Sequence, residues 1–344
     1  MSNINRIIYL DIIRIIACLM IILMHSPFKD VDHSSIIISS ISYFTAPAIG
    51  LFFMVSGALL LENKLSTRVF LKRRFSKIIW PTLIFAVFDI SLAVCKHHIP
   101  INNVPKMILS LPITAQGWYG TLWFMYTIAG LYLLTPILSK WVQSASKREI
   151  EFYLTIWAIT LFFPLLSNYI TVDTSINGML YHFQGAVGYF VLGYYINRHL
   201  RITKMTKAII ILAIVGSVLT PVICKYYFEG IDFYKYFWYY SPTAASMAIV
   251  IFIILKFIFP TDISKVSVRR FVILTSNYAF GIYLVHIFVM RDIVRNINFF
   301  HNIGSIGQIL TTTLLTFIIS WLFCWAINKT LMSKYILGIN KYKK

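Results

Sequence analysis

The sequence predicts an all-α integral membrane protein, a bundle of about ten transmembrane helices with both termini in the cytoplasm. Hydrophobic residues make up 58% of the 344 residues, charged residues make up 12%, and the mean hydropathy is +0.75. A soluble domain carries about a quarter of charged residues, so this composition excludes a cytosolic enzyme, a disordered chain and a secreted disulfide scaffold. The apolar runs are long and do not alternate with polar residues, which favours helices over a β-barrel.

Ten apolar stretches are candidate membrane spans, because a bilayer core takes about 20 apolar residues per helix. We expect the spans at residues 8–28, 43–61, 78–96, 118–139, 151–168, 178–196, 208–225, 239–259, 272–290 and 306–327. The connections are too short for a separate domain, so the sequence predicts one transmembrane domain over residues 1–344. The first run lacks a small-residue cleavage site and is therefore read as a retained span.

Lysine and arginine residues in the connections give the predicted orientation. One side of the membrane would carry 22 of them and the other side 7. Cytoplasmic loops carry such an excess, so the basic side is predicted to be cytoplasmic, in an inner or plasma membrane. The net charge of +19 is then a consequence of orientation, and no nucleic acid partner is expected.

The first span carries three ionisable residues, Asp11, Arg14 and His25, and such groups inside a bilayer are functional candidates. Arg14 and His25 are eleven residues apart, which places them on one helix face about 16 Å apart along the axis. Asp11, three residues before Arg14, is its expected partner. Each residue also has a structural reading: Arg14 can extend to the interface, and a neighbouring helix can satisfy His25. The shared face favours a polar passage lined by this helix.

Four stretches occur in an order that is typical of one family. They are YLDIIRIIACLMIILMH (9–25) with the spacing R-x10-H, LFFMVSGALLL (51–61), LWFMYTIAGLYLLTP (122–136) and SNYAFGIYLVH (276–286). Together they resemble membrane acyltransferase family 3, the integral-membrane O-acyltransferases of bacterial surface polysaccharides and related acceptors. The resemblance spans most of the chain.

This resemblance implies transfer of an acetyl or other short acyl group from cytoplasmic acyl-CoA to a hydroxyl on the outer side. The expected acceptor is an extracytoplasmic or lipid-linked glycan. A histidine titrates near neutrality and is suited to take a proton from a hydroxyl, so we assign the general base to His25. Arg14 would hold the donor or stabilise charge. A covalent acyl-histidine remains an alternative.

The stretch FLKRRFSKIIWP (70–81) is the most basic connection in the predicted topology. Orientation alone would explain it, but such a patch also concentrates an anionic donor with several phosphates. Arg73, Arg74 and Lys77 are the candidate coenzyme A ligands. The family usually shows R-x-x-R here, whereas Arg74 is followed by lysine at 77, which keeps the charge but loses the bidentate fork.

Further candidates lie in later spans. Tyr283 and His286, three residues apart in the predicted ninth span, are candidates for acceptor binding, with packing inside the bundle as the alternative. His182, at the start of the predicted sixth span, is a candidate for the acceptor entrance. Asp89 lies in the middle of the third span and needs a partner. No His or Cys spacing indicates a metal site.

A transporter or flippase for a lipid-linked sugar or an acylated product is the alternative function. It would use the same polar interior as a pathway. The two classes differ in donor binding, because a transporter has no reason to bind coenzyme A. Neither the acceptor nor the oligomeric state follows from the residues.

Overall fold

The structure is a computed structural model of the full chain. It describes residues 6–27, 36–115, 117, 119–201, 208, 211, 215, 216, 219, 237–259, 263–297 and 304–339. Throughout these residues the regular structure is helical, without a strand, which confirms the predicted all-α class.

The chain divides into two compact units. Unit 1 comprises residues 1–63 and 137–273, and unit 2 comprises residues 64–136 and 274–344. The helices of unit 1 are α1 (Ile8–His25), α2 (Ile36–Thr45), α3 (Pro47–Leu60), α7 (Lys147–Thr160), α8 (Phe163–Leu166), α9 (Ala186–His199) and α10 (Pro242–Ile258). Unit 2 contains α4 (Thr67–Cys95), α5 (Val104–Ser110), α12 (Ser305–Lys329) and α13 (Ser333–Ile336). Helices α6 (Trp123–Ser144) and α11 (Val266–Phe288) run from one unit into the other.

Six segments of the described chain are long and apolar enough to cross a membrane. They are Ile8–His25, Ser40–Leu60, Thr67–Cys95, Lys147–Leu166, Val266–Asn296 and Ser305–Lys329, and Pro242–Ile258 is a shorter apolar helix. The predicted span 208–225 lies largely outside the described residues. The multi-pass character is therefore supported, whereas the count of ten and the position of the termini stay predictions.

The basic stretch after the second predicted span is not a connecting loop, which is where the sequence placed it. Helix α4 begins at Thr67, eleven residues before the predicted start of the third span, and therefore includes Arg73, Arg74 and Lys77. Thr67 follows Ser66, whose extended backbone starts the helix. Lysine and arginine are good helix formers, so the helix extends beyond its apolar part.

Unit 1 is built around α3, which packs against α1, α9 and α10. Two glycines bring the backbones of α3 and α9 together. A Cβ at Gly57 would lie 1.7 Å from the carbonyl oxygen of Phe190, and one at Gly193 would lie 1.9 Å from that of Met54. Small residues permit such close helix contacts in membranes, and they fix α1 against a rigid pair of helices.

In unit 2 the segment after α12 packs against α4. Pro81 has no N–H, so the Lys77 carbonyl, four residues earlier in α4, lacks a helical donor. Gly338 lies directly against this oxygen, since a Cβ there would be 2.3 Å away, and its φ of +64° also requires glycine. The proline thus opens the place on α4 where the segment around α13 docks.

Candidate functional site

Helix α1 is continuous from Ile8 to His25, so Arg14 and His25 project from one face as the sequence predicted. Cys18 and Ile21 lie between them on this face, and each is 1% exposed. The face is therefore the one that packs into unit 1 against α3 and α10. This orientation places His25 and Arg14 on the inward side of α1 and not on its outer surface.

Asp11 links two arginines at the start of α1. The Arg6 side chain donates to both carboxylate oxygens, from Nε to Oδ2 at 2.6 Å and from Nη2 to Oδ1 at 2.9 Å. The Arg14 guanidinium lies 3.7 Å from Oδ1. The sequence predicted the Asp11–Arg14 pair, and the structure adds Arg6 as the closer partner. Two guanidinium groups against one carboxylate leave a net positive charge, which attracts anions.

The other end of α1 lies beside aromatic residues. Ser26, directly after His25, is fully buried, and its hydroxyl donates to the Ile22 carbonyl at 2.7 Å. The Tyr239 hydroxyl lies 3.8 Å from the sulfur of Met24. Tyr189 in turn donates to the Tyr239 carbonyl at 2.6 Å. His25 itself is partly buried, so its imidazole ends the inward face of α1 beside an aromatic cluster.

Lys256 of α10 caps the C-terminus of α9, a role that sequence reasoning missed. Its ammonium donates to the carbonyl oxygens of Ile196, Asn197 and Leu200 at 2.7, 3.0 and 3.4 Å. Lysine side chains stabilise the unpaired carbonyls at a helix C-terminus. Lys256 therefore has a structural role in unit 1.

The three candidate coenzyme A ligands all lie in the first part of α4, in unit 2. Arg73, Arg74 and Lys77 are exposed. A helix advances 100° per residue, so Lys77 lies about 40° and Arg74 about 100° from Arg73 around the axis, and all three occupy one side of α4. The three cations form one accessible patch, and the structure thus leaves them open to an anionic ligand.

Tyr283 and His286 lie together on α11, where both are buried inside unit 2. Their ring centroids are 5.4 Å apart. The Tyr283 hydroxyl donates to the Thr121 carbonyl at 2.7 Å, and His286 Nδ1 lies 2.5 Å from the Tyr283 carbonyl. Because a carbonyl oxygen can only accept a hydrogen bond, the His286 imidazole carries its proton on Nδ1. Their role in acceptor binding stays a prediction, and the contacts show that Tyr283 also ties the loop before α6 to α11.

His182 lies outside the helix that was expected to contain it. It belongs to a 3₁₀ turn, Tyr181–Phe183, and α9 begins four residues later at Ala186. The side chain is exposed and its ring contacts that of Tyr181. An exposed imidazole in a turn before a helix is accessible to ligands, so the proposed place at an acceptor entrance stays a prediction.

Asp89, whose partner the sequence left open, belongs to a network in unit 2. We call it the carboxylate network and define it as Asp89, Lys96, Tyr119, Arg291 and Asp292. The backbone N–H of Tyr119 donates to Asp89 Oδ2 at 3.2 Å. Lys96 and the Tyr119 hydroxyl both donate to the Asp292 carboxylate, and Arg291 stacks 5.7 Å from the centre of the Tyr119 ring. The network attaches the loop before α6 to α4 and to the π-helical turn Val289–Ile293.

Burial and the Asp89 carboxylate raise the pKa of the Tyr119 phenol, against a smaller opposite effect of Arg291. The phenol therefore stays protonated and can donate to Asp292. Beside it is a small cavity of about 20 Å³, lined by Asp89, Tyr119 and Thr121 together with apolar side chains, namely Phe85, Phe88, Leu122, Leu284 and Phe288. This is space for about one water molecule.

We expect Asp292→Ala to loosen the loop before α6. The change removes the acceptor of Lys96 and of the Tyr119 hydroxyl, and a hydrogen bond to a charged group contributes about 1.5 to 3 kcal/mol. The melting temperature should fall by a few degrees, and limited proteolysis should cleave faster between Leu111 and Leu122. Asp173→Ala is the control, since Asp173 is exposed and its carboxylate bonds to Ser175, two residues later in the same loop. Equal cleavage rates in the two variants would show that the carboxylate network does not hold this loop.

The all-helical fold and the six long apolar segments among the described residues define a multi-pass membrane protein, and its first helix carries Arg14 and His25 on its inward face. The family model described as an acyltransferase domain, Acyl_transf_3, matches residues 7–325. The chain therefore belongs to acyltransferase family 3 and is a membrane acyltransferase, which confirms the resemblance found in its motifs. Comparisons with curated proteins and with solved structures gave no match.

Proposed function

We propose that this acyltransferase moves an acetyl or other short acyl group from cytoplasmic acyl-CoA to a hydroxyl of an extracytoplasmic or lipid-linked glycan. It acts in the inner or plasma membrane, with His25 as the general base. The observation that carries this proposal is the inward face of α1, which presents Arg14 and His25 from one unbroken helix. In a family that transfers acyl groups, an inward imidazole is the group best suited to activate a hydroxyl.

The proposed reaction combines proton transfer through His25 with one displacement. His25 accepts the proton of the acceptor hydroxyl as the oxygen attacks the thioester carbonyl. The tetrahedral intermediate collapses, the carbon–sulfur bond breaks, and the leaving coenzyme A thiolate takes up the proton from the His25 imidazolium. The products are an ester and free coenzyme A, so neither a redox partner nor a metal takes part in the balance.

Arg14 is proposed to stabilise negative charge on the donor side. The cluster of Arg6, Asp11 and Arg14 carries a net positive charge, and an anion near it gains a charge-assisted hydrogen bond. Asp11 fixes the geometry of the guanidinium groups. Arg14 lies about 16 Å along α1 from His25, a distance that a long, thin donor arm can span.

Arg73, Arg74 and Lys77 are proposed to bind the phosphates of coenzyme A. Their exposure on one side of α4 fits a ligand that arrives from solution. Arginine forks match phosphate oxygens in pairs, whereas lysine acts as a point charge. Arg74 is therefore proposed as the principal ligand, with Lys77 adding charge.

Acyl transfer and transport are separated by measuring the donor. Full-length protein in liposomes is supplied with acetyl-CoA labelled in the acetyl group, without an added acceptor and then with membrane glycolipid. We expect slow release of free coenzyme A in the first case and labelled glycolipid in the second. A protein that binds no acetyl-CoA and releases no coenzyme A in either case would support the transporter instead. Mass spectrometry of surface glycans from cells with and without the protein then identifies the acceptor by the missing acyl increment.

We expect Arg74→Ala to raise the KM for acetyl-CoA about tenfold, with kcat within twofold of wild type, since the lost hydrogen bonds bind donor and transition state alike. A second substitution, Lys77→Arg, gives the usual R-x-x-R spacing and should lower the KM for acetyl-CoA. Lys140→Ala is the control, because Lys140 is exposed on α6 and outside the patch. An unchanged KM in Arg74→Ala would refute the donor role of α4.

A further inference from the structure

A second surface of unit 2 combines cations with exposed aromatic rings. We call it the aromatic–basic patch and define it as Trp80, Trp325, Lys329, Lys334 and Tyr335. The Lys329 ammonium lies 3.4 Å from the centre of the Trp325 ring, and that of Lys334 lies 5.3 Å from the centre of the Tyr335 ring. Trp80 and Tyr335 meet edge to face with centroids 6.2 Å apart. The patch is thus assembled from α4, the end of α12 and α13.

The patch has a fixed position on the protein. Helix α13 packs on α4, and Gly338 lies against the Lys77 carbonyl that Pro81 leaves without a helical donor. The two lysines therefore do not belong to a freely moving tail. They are presented beside Trp80 by a docked segment.

The patch lies where apolar helix gives way to charged helix. Trp325 and Lys329 are in the last turn of the apolar segment Ser305–Lys329, and Trp80 follows the basic part of α4. All three aromatic rings are exposed, Trp80 at 49%. Tryptophan and tyrosine at the two ends of membrane helices lie at the level of the lipid headgroups.

Unit 2 carries a large net positive charge, with 15 lysine and arginine residues in its sequence. The sequence of this unit has two acidic side chains, Asp89 and Asp292, and both belong to the carboxylate network. Asp89 is 12 residues beyond Lys77 on α4, about 18 Å along the axis. The cations at the patch therefore favour an external anion.

The apolar residues beside the lysines indicate what kind of anion fits. Leu331 is 88% exposed and Met332 is 51% exposed, and both lie between Lys329 and Lys334 in the chain. A free phosphate would leave these side chains in water, whereas a phospholipid brings acyl chains next to its charged headgroup. We propose that the aromatic–basic patch binds the headgroup of an anionic phospholipid.

Lipid titration of the full-length protein tests the proposal. The protein is purified in detergent, stripped of lipid and titrated with phosphatidylglycerol or with phosphatidylcholine of the same acyl chains. Native mass spectrometry counts the bound lipid, and intrinsic fluorescence records the melting temperature. The variant is Lys329→Gln with Lys334→Gln. The charge-matched control is Lys106→Gln with Lys140→Gln, two lysines that are exposed elsewhere.

We expect wild type and control to bind phosphatidylglycerol at least fivefold more tightly than phosphatidylcholine. The patch variant should lose about fivefold in affinity for each lysine removed, since a lysine near an anionic lipid surface contributes about that factor. Lys329→Arg with Lys334→Arg should keep the affinity. Equal binding of the two lipids by wild type, or unchanged binding by the patch variant, would overturn the proposal. Displacement of the lipid by millimolar inorganic phosphate would also overturn it, by showing a general anion site.

The outcome is independent of the proposed acyl transfer. Arg73, Arg74 and Lys77 stay unchanged in these variants, and the measured quantity is bound lipid and not product. Unchanged acetyl-CoA binding in Arg74→Ala, together with normal lipid binding, would refute the donor site alone.

Discussion

Replacing His25 with alanine is expected to lower the rate of acyl transfer by a factor of 10² to 10⁴, the usual contribution of a general base. Without an imidazole at the end of α1, the acceptor hydroxyl must lose its proton to water as it attacks the thioester. Because the loss is in the chemical step, kcat should fall while the KM for acetyl-CoA changes little. The measurement is the initial rate of labelled product in liposomes at saturating donor.

Two further substitutions distinguish loss of the base from loss of structure. His25→Gln keeps a polar side chain of similar length but cannot accept a proton near neutrality, so its kcat should be as low as that of His25→Ala. His98→Ala is the matched control, since His98 is exposed in the segment after α4. Activity in His25→Gln equal to wild type would remove His25 from the mechanism.

The pH dependence gives an independent check on the same residue. A general base acts in its unprotonated form, so kcat/KM in wild type should rise with pH and level off above the pKa of the free enzyme's base. In His25→Ala this rise should disappear. An identical profile in the variant would assign the titration to another group.

The sequence predicted α1 and its inward pair of polar residues because local geometry decides both. One unbroken apolar run contains Arg14 and His25, and 3.6 residues per turn places them on one face wherever the helix packs. The Asp11 partner was predicted from its three-residue spacing for the same reason. Arg6 was missed as the closer partner because it precedes the helix, where no periodicity applies.

The carboxylate network could not be predicted from the sequence, because it depends on contacts between segments that are distant in the chain. Asp89 meets the amide of Tyr119, 30 residues later, and no pattern within α4 announces that contact. The basic stretch was assigned to a loop because a hydropathy window ends where charge begins, although the helix continues. Pro81 carried a usable signal, since a proline inside a helix leaves a carbonyl for another segment to approach.

Introducing a side chain at the contact of α3 and α9 is expected to destabilise unit 1 by at least about 3 kcal/mol. A leucine at Gly57 must displace the Phe190 carbonyl, since even its Cβ would lie 1.7 Å from that oxygen. Backbone atoms cannot rotate away as a side chain can, so the two helices must separate. The expected cost therefore lies at or above the usual range for overpacked cores. Gly193 makes the reciprocal contact with Met54 and should respond in the same way.

A glycine in open space provides the control for helix propensity. Gly130 lies in α6 with no atom within 4 Å of a built Cβ, so Gly130→Ala should be neutral or should stabilise by about 0.5 to 1 kcal/mol.

Gly57→Ala and Gly57→Leu should both lower the melting temperature, and the leucine should lower it more. In both variants α1 should lose its rigid support, and the protein should therefore lose activity. Because α1 packs on α3, acyl transfer should fall together with stability in these variants, whereas His25→Ala should lose activity at an unchanged melting temperature. A Gly57→Leu protein that melts and turns over like wild type would show that the two helices are not in backbone contact.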